Sequence, residues 1–353
     1  MLPYTQYKQK NRHLNVPNYK KMSKYETTML KGIAILMMLF LHLFNNPSLD
    51  NLYTHLYVDG HSLANFLSRA CNPVHFFLIL GGYGLYSVWL EKNDKNRYKR
   101  IEKLFIHYWI TLLVFVPITI IFVNRAFIDG ILNFIVNVTA LDCTWNSAAW
   151  FLLPYAILSL SYPIFFKIMK YKGLVLLWAS LFAHLTASYM MLKYPQIAYH
   201  QHLISLFNNV LYLSFSFLLG AWVRKSNLVT SISKIKIPNW SVCLFLLILI
   251  IIRCIINSIS VDPIYSLFFI LLFLKIKVPQ LIGKTLHWFG IHSLNIWLIH
   301  IWICMIILKD FIYQLQYPIL IFAATLTISS ILSILFSLIP LGFSDISSTK
   351  EKK

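Results

Sequence analysis

The sequence is poor in charged residues, and most of the charge that it has is of one sign. Asp, Glu, Lys and Arg make up only 12% of its 353 residues, whereas 58% are hydrophobic. Soluble globular domains carry roughly 25% charged residues, and the mean hydropathy here is +0.66. This composition excludes a soluble globular domain and indicates an integral membrane protein. The 12 acidic residues are outnumbered by 31 basic ones, which gives a formal net charge of +19.

Cysteine is also scarce, and its distribution excludes a disulfide framework. Of the five cysteines, Cys243, Cys254 and Cys304 lie within apolar runs, where a thiol packs as a small hydrophobic group. Cys71 and Cys143 fall on the same predicted side of the membrane, so a bond between them is an alternative to simple packing. The sequence has no glycine-rich phosphate loop, no repeat and no low-complexity tract.

Apolar runs of about 20 residues, the length that crosses a bilayer as a helix, occur ten times. They predict an all-α bundle of about ten transmembrane helices. The sequence predicts a polar, basic tail over residues 1–26, a membrane domain over 27–340 and a second tail over 341–353. The predicted spans are residues 28–45, 73–90, 104–124, 148–168, 173–192, 203–222, 239–256, 262–276, 289–308 and 317–339.

The basic residues are distributed very unevenly across these ten spans. If both termini are cytoplasmic, 26 of the 31 Lys and Arg residues fall on the cytoplasmic side, as the positive-inside rule requires. The net charge is therefore interpreted as a topology signal with some attraction to anionic lipid headgroups. A nucleic-acid partner is not predicted, because the charge is divided among six short segments.

The first span carries two polar residues, Lys31 and His42, in otherwise apolar surroundings. Eleven residues at about 100° each return to within about 20° of the starting face, so both lie on one side of the helix, about 16 Å apart along it. Lys31 is expected at one membrane face and His42 inside the bilayer. An ionisable group at that depth is costly and usually functional, although packing of a hydrogen-bonded histidine is the alternative.

Four stretches resemble, in order, the motifs of the acyltransferase-3 family of integral membrane acyltransferases. Lys31-Gly32-Ile33-Ala34 followed by His42 is similar to the family's Arg/Lys-Gly-Ile-Ala…His opening helix. The other three are residues 76–83 (Phe-Phe-Leu-Ile-Leu-Gly-Gly-Tyr), 217–220 (Phe-Leu-Leu-Gly) and 289–300 (Phe-Gly-Ile-His-Ser-Leu-Asn-Ile-Trp-Leu-Ile-His). Lysine replaces the family's usual arginine at Lys31, glycine replaces a serine at Gly81, and no glutamate follows Trp150.

The resemblance implies transfer of an acyl group, mostly acetyl, from cytoplasmic acyl-CoA to a hydroxyl of a glycan or lipid-linked sugar near the outer face of a bacterial inner membrane. His42 is then the general base. The polyanionic donor would be bound by cations at the cytoplasmic face, here Lys31, Arg97, Lys99 and Arg100. The expected partners are acyl-CoA (acetyl-CoA first), a polysaccharide or its lipid-linked precursor, and membrane lipids.

The remaining candidate residues each have a structural alternative. His300 either partners His42 and orients the acceptor, or forms an interhelical hydrogen bond. Tyr83 is a candidate for lining the acyl channel, and Trp145, Asn146 and Trp150 are candidates for acceptor binding or for an interfacial aromatic belt. No metal site is predicted, because His200 and His202 point apart on a helix.

Three other functions compete with acyl transfer. The main alternative is a multi-helix transporter or flippase of a glycan intermediate, which would not need acyl-CoA; no duplication of the two halves supports it. A glycan polymerase or ligase would need a larger outer loop. A non-enzymatic sensor or scaffold would bind acyl-CoA without turnover.

Overall fold

The computed structural model describes residues 21–54, 56–58, 60–91, 97–123, 129–200 and 202–339. Most of the predicted tail over 1–26, the tail over 341–353 and the basic residues Lys92 and Lys95 lie outside the described residues. The described chain contains fourteen α-helices: α1 Lys24–Phe44, α2 Leu63–Ser68, α3 Val74–Leu90, α4 Arg97–Val123, α5 Gly130–Val138, α6 Leu152–Lys193, α7 Pro195–His200, α8 His202–Lys225, α9 Leu228–Lys234, α10 Asn239–Ile255, α11 Asp262–Phe273, α12 Gln280–Ile301, α13 Lys309–Tyr313 and α14 Pro318–Ser337.

Short elements connect these helices. Three 3₁₀ turns span Pro47–Leu52, Ser147–Phe151 and Ile259–Val261, and a π-helical turn, Trp302–Ile307, extends α12. Strands β1 (Tyr57–Val58) and β2 (His61–Ser62) form a small antiparallel ribbon, with Tyr57 opposite Ser62. The fold class is therefore all-α.

Six helical stretches in the described part of the chain are long and apolar enough to cross a membrane. They are Lys24–Phe44, Arg97–Val123, Ser147–Lys193, His202–Lys225, Gln280–Ile307 and Pro318–Ser337. Three shorter apolar helical stretches are Val74–Leu90, Asn239–Ile255 and Ile259–Phe273. The chain is a multi-pass membrane protein, whereas the number ten and the side of the termini stay predictions.

Several helices begin before the apolar spans that the sequence marks. α4 begins at Arg97 and α12 at Gln280, because polar first turns continue the helix beyond the hydrophobic stretch. α1 begins at a capping box: Ser23 Oγ accepts from the Glu26 N–H at 3.1 Å, and the Glu26 carboxylate accepts from the Ser23 N–H at 2.7 Å. These bonds satisfy two backbone donors that a helix start otherwise leaves unpaired.

The long helix α6 is divided by a single residue, Lys172, whose backbone is not helical (φ −126°, ψ 44°). The ammonium group of Lys225, on α8, donates to the carbonyl oxygens of Met169 and Lys170 at 2.5 and 3.2 Å. A lysine at a helix C-terminus satisfies carbonyls that lack helical partners. The sequence predicts an inner connection over residues 167–172; the structure reduces it to this one break.

Two helix pairs cross at glycines. An added Cβ on Gly32 of α1 would lie 1.9 Å from the carbonyl oxygen of Leu286, and one on Gly290 of α12 would lie 1.9 Å from that of Thr28. Only glycine permits backbones to approach this closely. This crossing lies nearer the N-terminal ends of both helices, and His42 contacts His300 near the C-terminal ends of both, so α1 and α12 are parallel.

The second crossing joins α3 and α8 in the same manner. An added Cβ on Gly82 would lie 1.9 Å from the carbonyl oxygen of Phe217, and one on Gly220 would lie 2.0 Å from that of Ile79. Near this crossing, His75 contacts the Ser216 hydroxyl at 2.7 Å. His75, at the start of α3, also contacts Tyr212, and Ser87, near its end, accepts from Arg224 in the last turn of α8, so α3 and α8 are parallel.

A buried ion pair ties the end of α10 to the start of α11. Arg253 Nε donates to Asp262 Oδ1 at 2.7 Å, and the Asn72 amide donates to the other carboxylate oxygen at 2.7 Å. Arg253 and Asp262 are 5% and 0% exposed. All five cysteines, including Cys71 and Cys143, are free thiols.

Candidate functional site

Two histidines meet where α1 and α12 run side by side. His300 Nε2 lies 3.1 Å from His42 Nδ1, and the ring centroids are 4.8 Å apart. His300 is fully buried, whereas His42 is partly buried. Two residues that are 258 positions apart in the chain therefore form one polar unit.

The surrounding carbonyl groups fix the protonation pattern of this pair. His300 Nδ1 lies 2.8 Å from the carbonyl oxygen of Trp297 and 3.1 Å from that of Ile296, so it carries hydrogen, because carbonyl oxygens only accept. The neutral ring then presents an unprotonated Nε2 to His42 Nδ1, whose other neighbour is the carbonyl oxygen of Met38 at 3.0 Å. Both neighbours are acceptors, so His42 Nδ1 donates. The lone pair of His42 Nε2 is left to act as a base.

A cavity of about 310 Å³ opens at the end of the bundle that carries Lys31, Arg100 and Lys103, which we call the basic end. Its volume lies at the lower limit of the range typical of small-molecule sites. The side chains between the basic mouth and the inner end are mostly apolar and aromatic. The other lining residues are Phe77, Gly81, Leu85, Ile101, Leu104, Phe151, Tyr155, Ser159, Ser293, Leu294 and Trp297.

The mouth of this cavity is positively charged, and no acidic side chain is among its lining residues in the described chain. Lys31 is partly buried, and among the described residues it has neither a hydrogen bond nor an ion pair. A cation in such a position favours an anionic ligand, because its desolvation is then offset. Arg100 and Lys103 lie beside it at the exposed start of α4.

Two of the predicted donor-binding cations do not line this cavity. The Arg97 guanidinium donates to the Tyr98 hydroxyl at 2.6 Å and lies over the same ring. Lys99 is exposed on the first turn of α4. Both belong to the basic end, so they contribute to its potential rather than to its lining.

The inner end of the cavity contains residues that sequence reasoning missed. The Trp297 ring stacks on Phe151 with centroids 4.3 Å apart, and its Nε1 donates to the Ala148 carbonyl oxygen at 2.8 Å. Ser159 is 5% exposed, and its hydroxyl has no hydrogen-bond partner in the described chain. A serine or tryptophan within an apolar run carries no sequence signal of its own, so only packing identifies these residues.

Tyr155 occupies the space beside Gly81, the position at which the motif that residues 76–83 resemble has a serine. An added Cβ on Gly81 would lie 3.3 Å from the Tyr155 ring. The glycine therefore leaves room for an aromatic ring with a hydroxyl in the cavity wall. No carboxylate takes the place of the expected glutamate after Trp150 among the lining residues.

The predicted acceptor-binding residues lie in the segment that joins α5 to α6. Asn146 is fully buried, donates to the Leu298 carbonyl oxygen at 2.8 Å, and has an Oδ1 without a partner in the described chain. Trp145 Nε1 donates to Asn133 Oδ1 at 2.9 Å, and Trp150 packs against Phe151. Asn146 thus contacts α12 between Trp297 and His300.

Tyr83 lies apart from both the histidine pair and the cavity lining. Its hydroxyl oxygen accepts from the Met22 backbone N–H at 2.9 Å. This bond attaches the residues before α1 to α3. The geometry gives Tyr83 a positioning contact at the basic end, and its place in an acyl channel stays a prediction.

Polar groups at the opposite end of the bundle form two further contacts. The Tyr53 hydroxyl bonds to the Asp50 carboxylate, and burial together with this carboxylate raises the Tyr53 pKa. His202 Nδ1 lies 3.1 Å from Asp142 Oδ2 on a partly exposed surface. Within the described ranges, no group of three or more His, Cys, Asp or Glu side chains is arranged to hold a metal.

Comparison with known proteins gives one match. The model of the acyltransferase-3 family, described as an acyltransferase domain, matches residues 25–339. No curated protein and no solved structure matches the chain. The matched region includes both histidines and the whole lining of the cavity, and it confirms the family resemblance that the four motifs indicate.

Proposed function

The chain belongs to the acyltransferase-3 family, and we propose that this membrane acyltransferase moves an acyl group, with acetyl as the first candidate, from acyl-CoA to a hydroxyl. The observation that carries the proposal is the alignment of a cation-lined cavity with the histidine pair. Lys31 lines the cavity, and the same face of α1 leads to His42, about 16 Å further along the helix.

The donor would bind with its phosphates at the basic end. Lys31, Arg100 and Lys103 line the mouth, and Arg97 and Lys99 add positive potential beside it, which favours a polyanion. The mostly apolar and aromatic part of the cavity suits an uncharged pantetheine arm, with the Ser159 hydroxyl as a partner for one of its polar groups. The thioester then points toward the histidine pair.

His42 would act as the general base in direct transfer. Its Nε2 takes the proton of the acceptor hydroxyl as that oxygen attacks the thioester carbonyl carbon. The carbon–sulfur bond then breaks, and the leaving thiolate takes this proton from the His42 imidazolium to form the free thiol of CoA. His300 positions the base, because its Nε2 accepts from the Nδ1–H of His42 throughout the cycle.

The acceptor is proposed to be a hydroxyl of a cell-surface or exported polysaccharide, or of its lipid-linked precursor, that approaches from the outer face of a bacterial inner membrane. Trp145, Asn146 and Trp150 are the residues proposed to contact it. Aromatic rings stack on sugar faces, and the unpartnered Oδ1 of Asn146 is an acceptor for a sugar hydroxyl.

This arrangement requires ten spans with both termini in the cytoplasm. The parallel crossings support that count, because α1 with α12 and α3 with α8 are then spans that cross in the same direction. Single cysteines introduced by Lys236→Cys and Asp310→Cys are both exposed. With the five native cysteines replaced by serine, a membrane-impermeant maleimide added to intact cells is expected to label only the second, and labelling of the first would overturn the topology.

The decisive experiment is CoA release from acetyl-CoA by the purified protein in nanodiscs. The native chain is expected to release CoA, His42→Ala to release none, and the matched variant His202→Ala to behave as the native chain. Protein yield and thermal unfolding check that each variant is folded. Release by His42→Ala would refute the assigned base, and absence of both release and CoA binding by the native chain would favour the transporter alternative.

A further inference from the structure

The cavity at the basic end stops short of the histidine pair. On α12 its inner lining ends at Trp297, less than one helical turn before His300. On α1 it is lined by Lys31 but by none of the residues that follow on the same face. The donor cavity and the proposed base are therefore separated by a layer of side chains.

On α1, Met38 lies in the interval between Lys31, which lines the cavity, and His42. Seven residues beyond Lys31 and four before His42, it lies on the face that these two residues share. Its side chain is 2% exposed, and Ile35, one turn closer to the cavity, is completely buried. A thioester carbonyl that enters the cavity reaches His42 only if the space held by Met38 becomes available.

On the α12 side the Trp297 side chain is held in place, so Met38 on α1 is the side chain that can move. The Trp297 indole is held by its stacking on Phe151 and by its hydrogen bond to Ala148. Met38 contributes only its backbone carbonyl to a polar contact, that with His42. A methionine side chain is unbranched and adapts its shape easily, so it can turn aside for a small group at little cost.

We propose that the Met38 side chain determines the length of the acyl group that the enzyme accepts, by leaving room near the base for a short acyl group only. This inference rests on the proposed function and specifies its donor class as short-chain acyl-CoA.

The test compares acetyl-, butyryl- and hexanoyl-CoA as donors for the purified chain in nanodiscs. Met38→Ala removes every side-chain atom beyond Cβ and leaves the backbone bond to His42 in place. Because each methylene that a pocket admits or rejects changes discrimination by roughly tenfold or more, the hexanoyl-to-acetyl ratio of kcat/KM is expected to rise at least tenfold. Met37→Ala, the same change on the other face of α1, is expected to keep the native ratio.

The outcomes of this test distinguish a failure of the role of Met38 from a failure of the proposed acyltransferase function. A native chain that prefers acetyl-CoA, with an unchanged ratio in Met38→Ala, would overturn the role of Met38 alone. A native chain that uses hexanoyl-CoA as well as acetyl-CoA would also overturn it. A native chain that neither binds nor releases CoA from any of the three donors would overturn the proposed function. If Met38→Ala does not fold, Met38→Val shortens the side chain with a smaller loss of packing.

Discussion

Replacing Gly32 with alanine would put a methyl group 1.9 Å from the backbone carbonyl oxygen of Leu286. Backbone on an adjacent helix cannot turn aside as a side chain can, so α1 and α12 must separate. The shortest carbon–oxygen contacts between helices are about 3.3 Å, which requires a displacement of roughly 1.4 Å. The same two helices carry His42 and His300.

The displacement is large compared with the contact between the two histidines. If both helices move as rigid bodies, the His42–His300 separation grows from 3.1 Å to roughly 4.5 Å, beyond hydrogen-bonding distance. A catalytic group misplaced by about 1 Å costs about 10²-fold in rate. Gly32→Ala is therefore expected to lower CoA release about 100-fold, and overpacking is expected to lower the free energy of unfolding by about 1–3 kcal/mol.

The assay measures CoA release from acetyl-CoA in nanodiscs, together with thermal unfolding of the same samples. Gly84→Ala is the matched control, because nothing lies within 4 Å of its added Cβ; we expect native turnover. Native turnover in Gly32→Ala would refute the reasoning that the glycine crossing holds the histidines together. Equal loss in both variants would show that any added methyl disturbs the bundle.

Three further outcomes follow from individual contacts. Lys31→Met is expected to raise the KM for acetyl-CoA about tenfold, since a hydrogen bond to a charged group contributes about 1.5–3 kcal/mol. The KM for acetyl-pantetheine, which lacks the nucleotide, should not change. An equal rise in KM for both donors would contradict phosphate binding by Lys31. Asp262→Asn leaves the buried Arg253 charge unpaired, which costs about 3–5 kcal/mol of folding free energy. Thermal unfolding should therefore occur at a clearly lower temperature, and an unchanged Tm would contradict the stabilising role of this ion pair. Burial raises the pKa of the Cys71 thiol to about 12, and only the thiolate reacts. Alkylation of Cys71 by iodoacetamide, measured by peptide mass spectrometry, should therefore increase about tenfold per pH unit from pH 7 to 10. A rate that levels off near the ordinary thiol pKa of about 8.5 would contradict the shift.

The first helix illustrates how far the sequence alone reaches. The interval between Lys31 and His42 predicts a shared face, because a helix fixes the angle between its residues. The cavity includes Lys31 as a lining residue, in line with its expected position near a donor site. The same periodicity does not indicate that the cavity ends before His42, because that depends on how Met38 and Trp297 pack between helices.

For the candidate residues outside α1, the sequence alone does not indicate which side chains come together. The sequence leaves His300 open between a partner of His42 and a structural histidine, and it provides no signal for Ser159 or Phe151. Arg97 and Lys99 are candidates by charge alone, yet Arg100 and Lys103 are the ones that line the cavity. Charge is visible in a sequence, but the direction in which a helix presents it depends on the neighbouring helices.

Composition determined the membrane class, because a chain with so little charge and so much apolar surface cannot remain in water. The motifs around Lys31 and residues 289–300 determined the family. Tertiary structure decided that His300 lies against His42, through the close crossing that Gly32 and Gly290 permit between parallel helices. It also decided where the cavity ends, because packing between distant segments depends on shapes that meet only in the folded chain.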